Sequence, residues 1–175
     1  MKYNVIYGLY IALALIIVNT IFMDVIGVGN DFVRQFSGFS PFLILAIGLF
    51  LAMRKVKANV YRNLWNYGQA IYTGIVLTAF AALFLSIYNF FNFQFLNPDF
   101  ANEIIGVTKP LMIQDKLSAA VIEKEISLIR ESYLPINQIK GTFVLVLLVG
   151  VVFSAIYSSI LRTQDTFTQI TKPRE

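Results

Sequence analysis

Few side chains in this sequence could carry out catalysis or bind a metal ion. Cysteine and histidine are absent, which excludes a thiol nucleophile, an imidazole proton relay and the usual zinc and haem ligands. Paired carboxylates can act as general acid and base, but Glu123 and Glu125 flank a lysine, as is typical of a solvated helix face. A membrane enzyme would need Asp24, Asp31 and Asp99 to converge. We therefore expect no catalytic residue, no cofactor, no metal site and no enzymatic activity.

Uncharged polar side chains inside long apolar segments are the other candidates for function. Asn19, Thr78 and Ser154 could hydrogen-bond to a neighbouring helix, or they could line a cavity for a small neutral or apolar molecule. No ionisable residue lies deep within these segments, and such residues mark ion routes and proton relays. The sequence therefore disfavours a pump, a proton-coupled transporter and an ion channel with charged rings.

The elements that hold these side chains are predicted to be membrane-spanning helices. Hydrophobic residues make up 57% of the 175 residues and charged residues only 14%, against about 45–50% and about 25% in soluble domains. Segments long and apolar enough to cross about 30 Å of hydrocarbon lie at roughly residues 5–28, 38–56, 68–92 and 140–162. We predict a single domain, residues 1–175: an all-α integral membrane protein, with four transmembrane helices in a bundle.

The second of these segments is the shortest. It opens on Ser40 and Pro41, which predict an N-cap followed by proline at the first helical position. An even number of crossings fits the charges best, so we expect a full span. The alternative is a buried or re-entrant helix.

The charges between the segments predict the orientation of the protein in the membrane. One side carries mainly basic residues, against Asp165 and Glu175: Lys2, Arg54, Lys55, Lys57, Arg62, Arg162, Lys172 and Arg174. On the other side, between the first and second and between the third and fourth segments, acids outnumber bases. The positive-inside rule then places both termini in the cytoplasm. The basic residues are therefore a topology signal and not a nucleic-acid surface.

Aromatic residues flank the segments at both ends, as amphipathic rings do at the headgroup level. At the cytoplasmic end they are Tyr3, Tyr7, Tyr10, Trp65, Tyr67 and Tyr72. At the outer end they lie in residues 88–95, for which the alternative is a port for a lipid or a hydrophobic ligand. We predict interfacial belts at both ends.

Small residues recur at every fourth position in the third and fourth segments. They are Ala70, Gly74, Thr78, Ala82 and Ser86 in the third, and Gly150, Ser154 and Ser158 in the fourth. This spacing places them on one side of each helix, where small residues let helices approach closely in lipid. We predict a helix-packing seam, either within one chain or against a second copy or a partner subunit.

The one long connection outside the membrane, residues 98–136, is extracytoplasmic by its charge. We expect Gly106 and Pro110 to break any helix before the main apolar run. An amphipathic helix between the third and fourth spans is predicted by the spacing of Ala119, Ile122, Ile126, Ile129 and Tyr133. Its stripe could pack on the bundle, lie on the membrane or bind a partner. The candidate partner face is Ile122, Ile126, Ile129 and Tyr133.

Three motifs of the chain match a pattern seen in bacterial membrane proteins. Residues 67–74 read aromatic–Gly–x–Ala–x–x–x–Gly at the start of the third segment, and residues 97–100 form a Pro-containing turn after it. Residues 154–162 form a small-residue-rich final helix that ends in a basic residue. On these motifs nearly the whole chain resembles the family named domain of unknown function 4199, although residues 63–66 lack the Gly-containing turn of many members. The resemblance implies a four-helix protein of the bacterial inner membrane, and no activity, cofactor or catalytic residue.

These features together predict a small, non-catalytic accessory or interaction subunit of a membrane or envelope complex. Its expected partners are the lipid bilayer and either another protein or a second copy of the chain, with no nucleic acid. The alternative is a carrier or permeation protein for a small neutral or apolar molecule. That alternative requires a continuous polar cavity near the middle of the bilayer, around Asn19, Thr78 and Ser154.

Overall fold

The computed structural model describes residues 2–27 and 29–163, which are helical and contain no strand. The helices are α1 (Lys2–Thr20), α2 (Asp31–Phe36), α3 (Ser40–Tyr61), α4 (Tyr67–Phe91), α5 (Phe100–Gln114), α6 (Ala119–Ser132) and α7 (Pro135–Leu161). Two π-helical segments, Ile21–Gly27 and Asn92–Leu96, continue α1 and α4. The charged residues of the C-terminal tail, Asp165, Lys172, Arg174 and Glu175, lie outside the described residues.

Three helical stretches in the described chain are long and apolar enough to cross a membrane. They are Lys2–Met23, Tyr67–Leu96 and Pro135–Leu161, which make the chain a multi-pass membrane protein. The helix α3 has 22 residues and comparable length, but Arg54, Lys55 and Lys57 lie in its later turns. These cations make α3 less apolar than the other three long helices.

The long helices α1, α3, α4 and α7 alternate in direction. At one end, the Asn59 amide of α3 donates a hydrogen bond to the Tyr7 hydroxyl of α1 over 3.3 Å. At the same end, the loop between α3 and α4 contacts the end of α7. We call this the basic end, because the exposed cations Lys2, Arg54, Lys55 and Arg62 lie there.

The opposite end, here called the hairpin end, is joined by two polar contacts between helices. The hydroxyls of Thr20 and Tyr88 lie 3.0 Å apart and link α1 to α4. The Asn89 amide donates to the Thr142 hydroxyl over 2.8 Å and links α4 to α7. Hydrogen bonds between helices therefore lie at the two ends of the bundle.

The central helix is α4, which contacts α1, α3 and α7. Its buried residues are Ala70, Thr73, Gly74, Leu77, Thr78, Ala81, Ala82 and Ser86. The helix α1 approaches it at Gly8, where an added Cβ would lie 2.6 Å from the Phe80 Cβ and 3.0 Å from the Leu77 carbonyl oxygen. Only glycine permits this approach of the two backbones.

The helices α4 and α7 interlock through two glycines. A Cβ added at Gly74 would lie 2.6 Å from the Ser154 Cβ, and one added at Gly150 would lie 2.7 Å from the Thr78 Cβ. Each glycine therefore leaves a notch that a hydroxyl-bearing side chain of the other helix fills. A Cβ cannot rotate away, so a larger residue in either notch must push the helices apart.

The only tryptophan, Trp65, closes the basic end and is 3% exposed. Its indole N–H donates to the Leu161 carbonyl over 2.9 Å, and the Lys57 ammonium donates to the same oxygen over 2.8 Å. The last carbonyls of a helix lack partners within the helix. The two donors therefore satisfy the Leu161 carbonyl, to which lipid could not donate a hydrogen bond. The sequence predicts Trp65 in the interfacial belt at this end of the third span; it lies at that end, but it is buried, and its N–H caps α7 from within the fold.

The chain reaches Trp65 through a turn with a left-handed backbone conformation. Arg62 and Asn63 end α3 with φ angles of 50° and 66°, a left-handed region that favours glycine and that asparagine tolerates better than most residues. Asn66 then caps α4 by accepting from the Gln69 N–H over 2.8 Å.

The predicted N-cap of α3 is wrong. The N-cap of α3 is Phe39, and Ser40 is already helical, because the Phe39 carbonyl accepts the first bonds of the helix from Phe42 and Leu43. The helix α7 begins at Pro135, before the predicted start of the last span at roughly residue 140, and the missing proline N–H would have had no helical partner there.

The prediction that Gly106 and Pro110 prevent a helix is also wrong, since α5 runs through both. Proline removes the N–H that would bond to the carbonyl four residues earlier, and here that carbonyl belongs to Gly106. Both residues are exposed, so water can satisfy the carbonyl. The helix ends instead near Lys116, which adopts a φ angle of 57°.

We expect Gly150→Ala to destabilise the bundle by about 1–3 kcal/mol, the usual effect of overpacking, because its Cβ would collide with Thr78. The matched control is Gly141→Ala on the same helix, where an added Cβ meets nothing within 4 Å. Replacing that glycine should leave stability unchanged or raise it by up to about 1 kcal/mol. Thermal unfolding in detergent distinguishes the two variants, and equal stability would refute the interlock.

We expect Trp65→Phe to lower stability by about 1 kcal/mol or more, because the Leu161 carbonyl loses its indole donor and the ring site loses volume. The control is Tyr72→Phe on α4, whose side chain is 63% exposed. Unfolding in detergent should change little for that control. A Trp65→Phe variant as stable as the control would show that the capping contact is dispensable.

Candidate functional site

The part of the chain that extends beyond the long helices is a hairpin of α5 and α6. The two helices pack on each other, while α6 contacts α7 only slightly. The Ser118 hydroxyl caps α6 by accepting from the Val121 N–H over 3.4 Å. No residue of α6 is buried, and α5 buries only Phe100. The hairpin therefore lies almost entirely at the surface of the described structure.

An aromatic cluster anchors the hairpin to the rest of the fold. The ring centroids of Phe93, Phe100 and Tyr133 lie 5.2–5.5 Å apart at steep angles, a favoured arrangement for aromatic pairs. Phe93 belongs to the π-helical end of α4, Phe100 begins α5 and Tyr133 follows α6. Burial raises the pKa of the Tyr133 phenol above its ordinary value of 10.0, so the ring stays uncharged near neutral pH.

The candidate partner face of α6 is partly used within the chain. Ile122, Ile126 and Ile129 are half-buried, and the helix that packs extensively on α6 is α5. Tyr133, the fourth member of that face, is held in the aromatic cluster. The stripe therefore closes the hairpin and presents only part of its area to other molecules.

A second apolar row lies on a different face of α6. Val121 and Leu128 are 43% and 44% exposed, and their spacing of seven residues puts them on one helical face. Leu117, which is 42% exposed, lies in the loop just before α6. We call these three side chains the exposed row. The sequence contained this signal, but the stronger isoleucine stripe on the other face obscured it.

A polar cleft of about 560 Å³ lies between the end of α6 and the start of α7, and Leu128 borders it. Its amide side chains join the two helices. Asn137 donates to the Glu131 carbonyl and Gln138 donates to the Ser132 carbonyl, each over 2.8 Å. These bonds satisfy the last carbonyls of α6, so the cleft is a structural junction beside the exposed row.

The eight predicted seam residues are all buried, on α4 and α7. The hydroxyls of Thr78 and Ser154 donate to the Gly74 and Gly150 carbonyls of their own helices, over 2.9 and 2.6 Å. Ser158 donates to the Ser154 carbonyl over 2.6 Å. Among the described residues, the Ser86 hydroxyl is the buried side-chain group that lacks a partner.

This packing leaves no polar cavity at Thr78 and Ser154, which are both 0% exposed and fill the glycine notches. The third residue of the carrier alternative, Asn19, is half-buried near the end of α1. The middle of the described bundle is therefore solid at two of the three positions that a carrier would use.

The carboxylates do not form a reactive cluster where the structure describes them. Glu123 is exposed, Glu125 is half-buried, and Asp99 is exposed and accepts a 3.4 Å contact from the Asn102 amide. The side chains of Asp24 and Asp31 lie outside the described part. Within that part, no three acids are grouped so as to hold a metal ion.

Comparison with known protein families shows a match over most of the chain. The family model described as "Protein of unknown function (DUF4199)" matches residues 6–163. No curated protein and no solved structure matches the chain. The match covers every helix from α2 to α7 and most of α1.

We expect Tyr133→Ala to loosen the hairpin, because each aromatic pair contributes about 0.5–1.5 kcal/mol beyond its buried area. Trypsin cleavage after the exposed Lys116, followed by mass spectrometry, should become several-fold faster. Tyr133→Phe is the matched control, since it keeps the ring and should be cleaved at the wild-type rate. Equal rates for all three proteins would show that the cluster does not hold the hairpin.

Proposed function

The chain belongs to the DUF4199 family of unknown function, and from this premise we propose that it is a non-catalytic accessory or interaction subunit of a membrane or envelope complex. The observation that carries the proposal is the exposed row on α6. Val121 and Leu128 share one face of a helix that has no buried residue, and the exposed Leu117 lies just before that helix. A partner that covers this row would bury apolar surface that the chain itself leaves uncovered.

The chemistry of the partner follows from the composition of this face. Beside the apolar side chains, Lys124 and Glu131 are exposed and carry opposite charges. A protein groove with apolar walls and a mixed-charge rim fits such a helix. A purely anionic lipid surface would instead favour a helix rich in Lys and Arg. We therefore propose a protein partner, or a second copy of the chain, on the exposed row.

The absence of reactive groups from the sequence supports a non-catalytic role. Because the sequence has no cysteine or histidine, only carboxylates, lysines or hydroxyls could act as catalytic groups. The described carboxylates lie at the surface, and the hydroxyls of Thr78, Ser154 and Ser158 are engaged with backbone carbonyls. We propose that the protein requires no cofactor and no metal, and that it binds no nucleic acid.

We further propose a four-span topology in the bacterial inner membrane, with α3 as the additional span. Its 22 residues rise by about 33 Å, enough to cross the hydrocarbon layer of about 30 Å. The basic end of the bundle would then face the cytoplasm, in accord with the positive-inside rule. The hairpin of α5 and α6 would lie on the extracytoplasmic side, where envelope partners are accessible.

The topology can be tested by cysteine labelling, because the chain contains no cysteine of its own. We expect a cysteine at Leu117 to react with a membrane-impermeant maleimide in intact cells. A cysteine at Asn63, in the exposed loop at the basic end, should react only after the membrane is opened. The reverse pattern, or labelling of both sites in intact cells, would overturn the proposed orientation.

The subunit role can be tested by gentle solubilisation from the native membrane. We expect the wild-type chain to co-purify with a stoichiometric partner, and the Val121→Ser/Leu128→Ser variant to retain less than about a fifth of it. The control is Glu123→Ser, which changes an exposed α6 residue outside the exposed row. Recovery of the wild-type protein as a lone monomer would refute the proposal, as would equal retention by both variants.

A further inference from the structure

A groove runs along the outside of the bundle between α1 and α3, away from the hairpin. Its volume is about 390 Å³, within the range of about 300–1,000 Å³ that is usual for ligand sites. Ile11 forms its floor and is 3% exposed, while Ile47 and Leu51 form a wall and are more than half exposed. The groove is therefore open on the side that faces the lipid.

The sequence creates this groove through small residues on both helices. Ala14 on α1 and Gly48 and Ala52 on α3 line it. A Cβ added at Gly48 would lie 3.1 Å from the Ile11 side chain, so the helices meet there without filling the space above. The lining residues recur at intervals of three and four on each helix, which places one face of each toward the groove.

The polar side chains of the groove lie together at its basic end. They are Tyr7, Tyr10 and Lys55. The Tyr7 hydroxyl accepts from Asn59 over 3.3 Å, whereas the exposed Lys55 ammonium pairs with no carboxylate among the described residues. The remainder of the lining is apolar. The groove thus combines one cationic, hydroxyl-rich end with a hydrocarbon-like channel.

The length of the channel corresponds to one leaflet of a membrane. From Ile44 to Lys55, α3 rises by about 16 Å, which is close to half of the hydrocarbon thickness of about 30 Å. A lipid acyl chain that begins at the headgroup level near Lys55 would therefore extend along the groove as far as Ile44.

We propose that this groove binds one anionic phospholipid, with its phosphate at Lys55 and Tyr10 and one acyl chain along Ile47 and Leu51. The charge of the basic end selects an anionic over a zwitterionic headgroup, because other exposed cations, Lys2, Arg54 and Arg62, add to the same positive field. This site is separate from the exposed row, so it holds or fails independently of the proposed subunit role.

The test uses the full-length protein, delipidated in detergent and titrated with phosphatidylglycerol or phosphatidylcholine under native mass spectrometry. We expect one phosphatidylglycerol to be retained per chain, in preference to phosphatidylcholine. Lys55→Gln should weaken that binding about fivefold, the change expected for one lysine near a lipid surface, and Lys55→Arg should restore it.

The matched control is Arg54→Gln, which removes the same charge one residue away. The Arg54 guanidinium lies 5.9 Å from the Phe50 ring centre and does not line the groove, so this variant should bind phosphatidylglycerol within about twofold of wild type. Equal losses in Lys55→Gln and Arg54→Gln would reduce the effect to general surface charge and overturn the site.

A second variant tests the apolar channel. Ala14 is exposed and lines the groove, so Ala14→Phe fills the channel without entering the core. It should abolish retention of the lipid while thermal unfolding stays as in wild type. Unchanged retention in this variant would overturn the proposal, as would equal affinity for the two lipids or a stable dimer that excludes lipid.

Discussion

Thr78 and Ser154 fill the notches that Gly150 and Gly74 leave on the facing helices, and the bundle depends on this reciprocal fit. In lipid, no hydrophobic force drives one helix onto another, so close packing must hold them together. The interlock brings the backbones of α4 and α7 together along their most extensive contact. Each hydroxyl is satisfied by a carbonyl of its own helix, so the contact leaves no unpaired polar group at either notch.

The ends of the bundle obey a different constraint, because helix termini expose backbone groups that lipid cannot satisfy. At the basic end, Trp65 and Lys57 both donate to the last carbonyl of α7. At the hairpin end, side chains link α1 to α4 and α4 to α7. The packed middle and the hydrogen-bonded ends together fix which helix faces are left outside.

These outer faces are where both proposals lie. The dry interlock occupies the space that a central polar cavity would need, and the described carboxylates are scattered over the surface. Among the apolar surfaces that the described residues leave uncovered, two carry the proposals. One is the exposed row on the hairpin, bordered by charges of both signs, and the other is the groove between α1 and α3, with cations at one end. The difference in charge leads us to propose a protein for the first and an anionic lipid for the second.

The sequence alone determined the helical membrane class, the small-residue positions and the family. These properties follow from the composition and from the spacing of residues along single helices. Both can be read directly from the amino-acid sequence. The tertiary structure decided which faces meet: it buried Trp65 under α7, and it turned the isoleucine stripe of α6 toward α5, leaving the exposed row outside. It also carried α5 through Pro110, where both Gly106 and Pro110 are exposed and water can satisfy the carbonyl that proline cannot bond. Contacts between distant segments depend on the packing of all helices at once, and no local spacing specifies them.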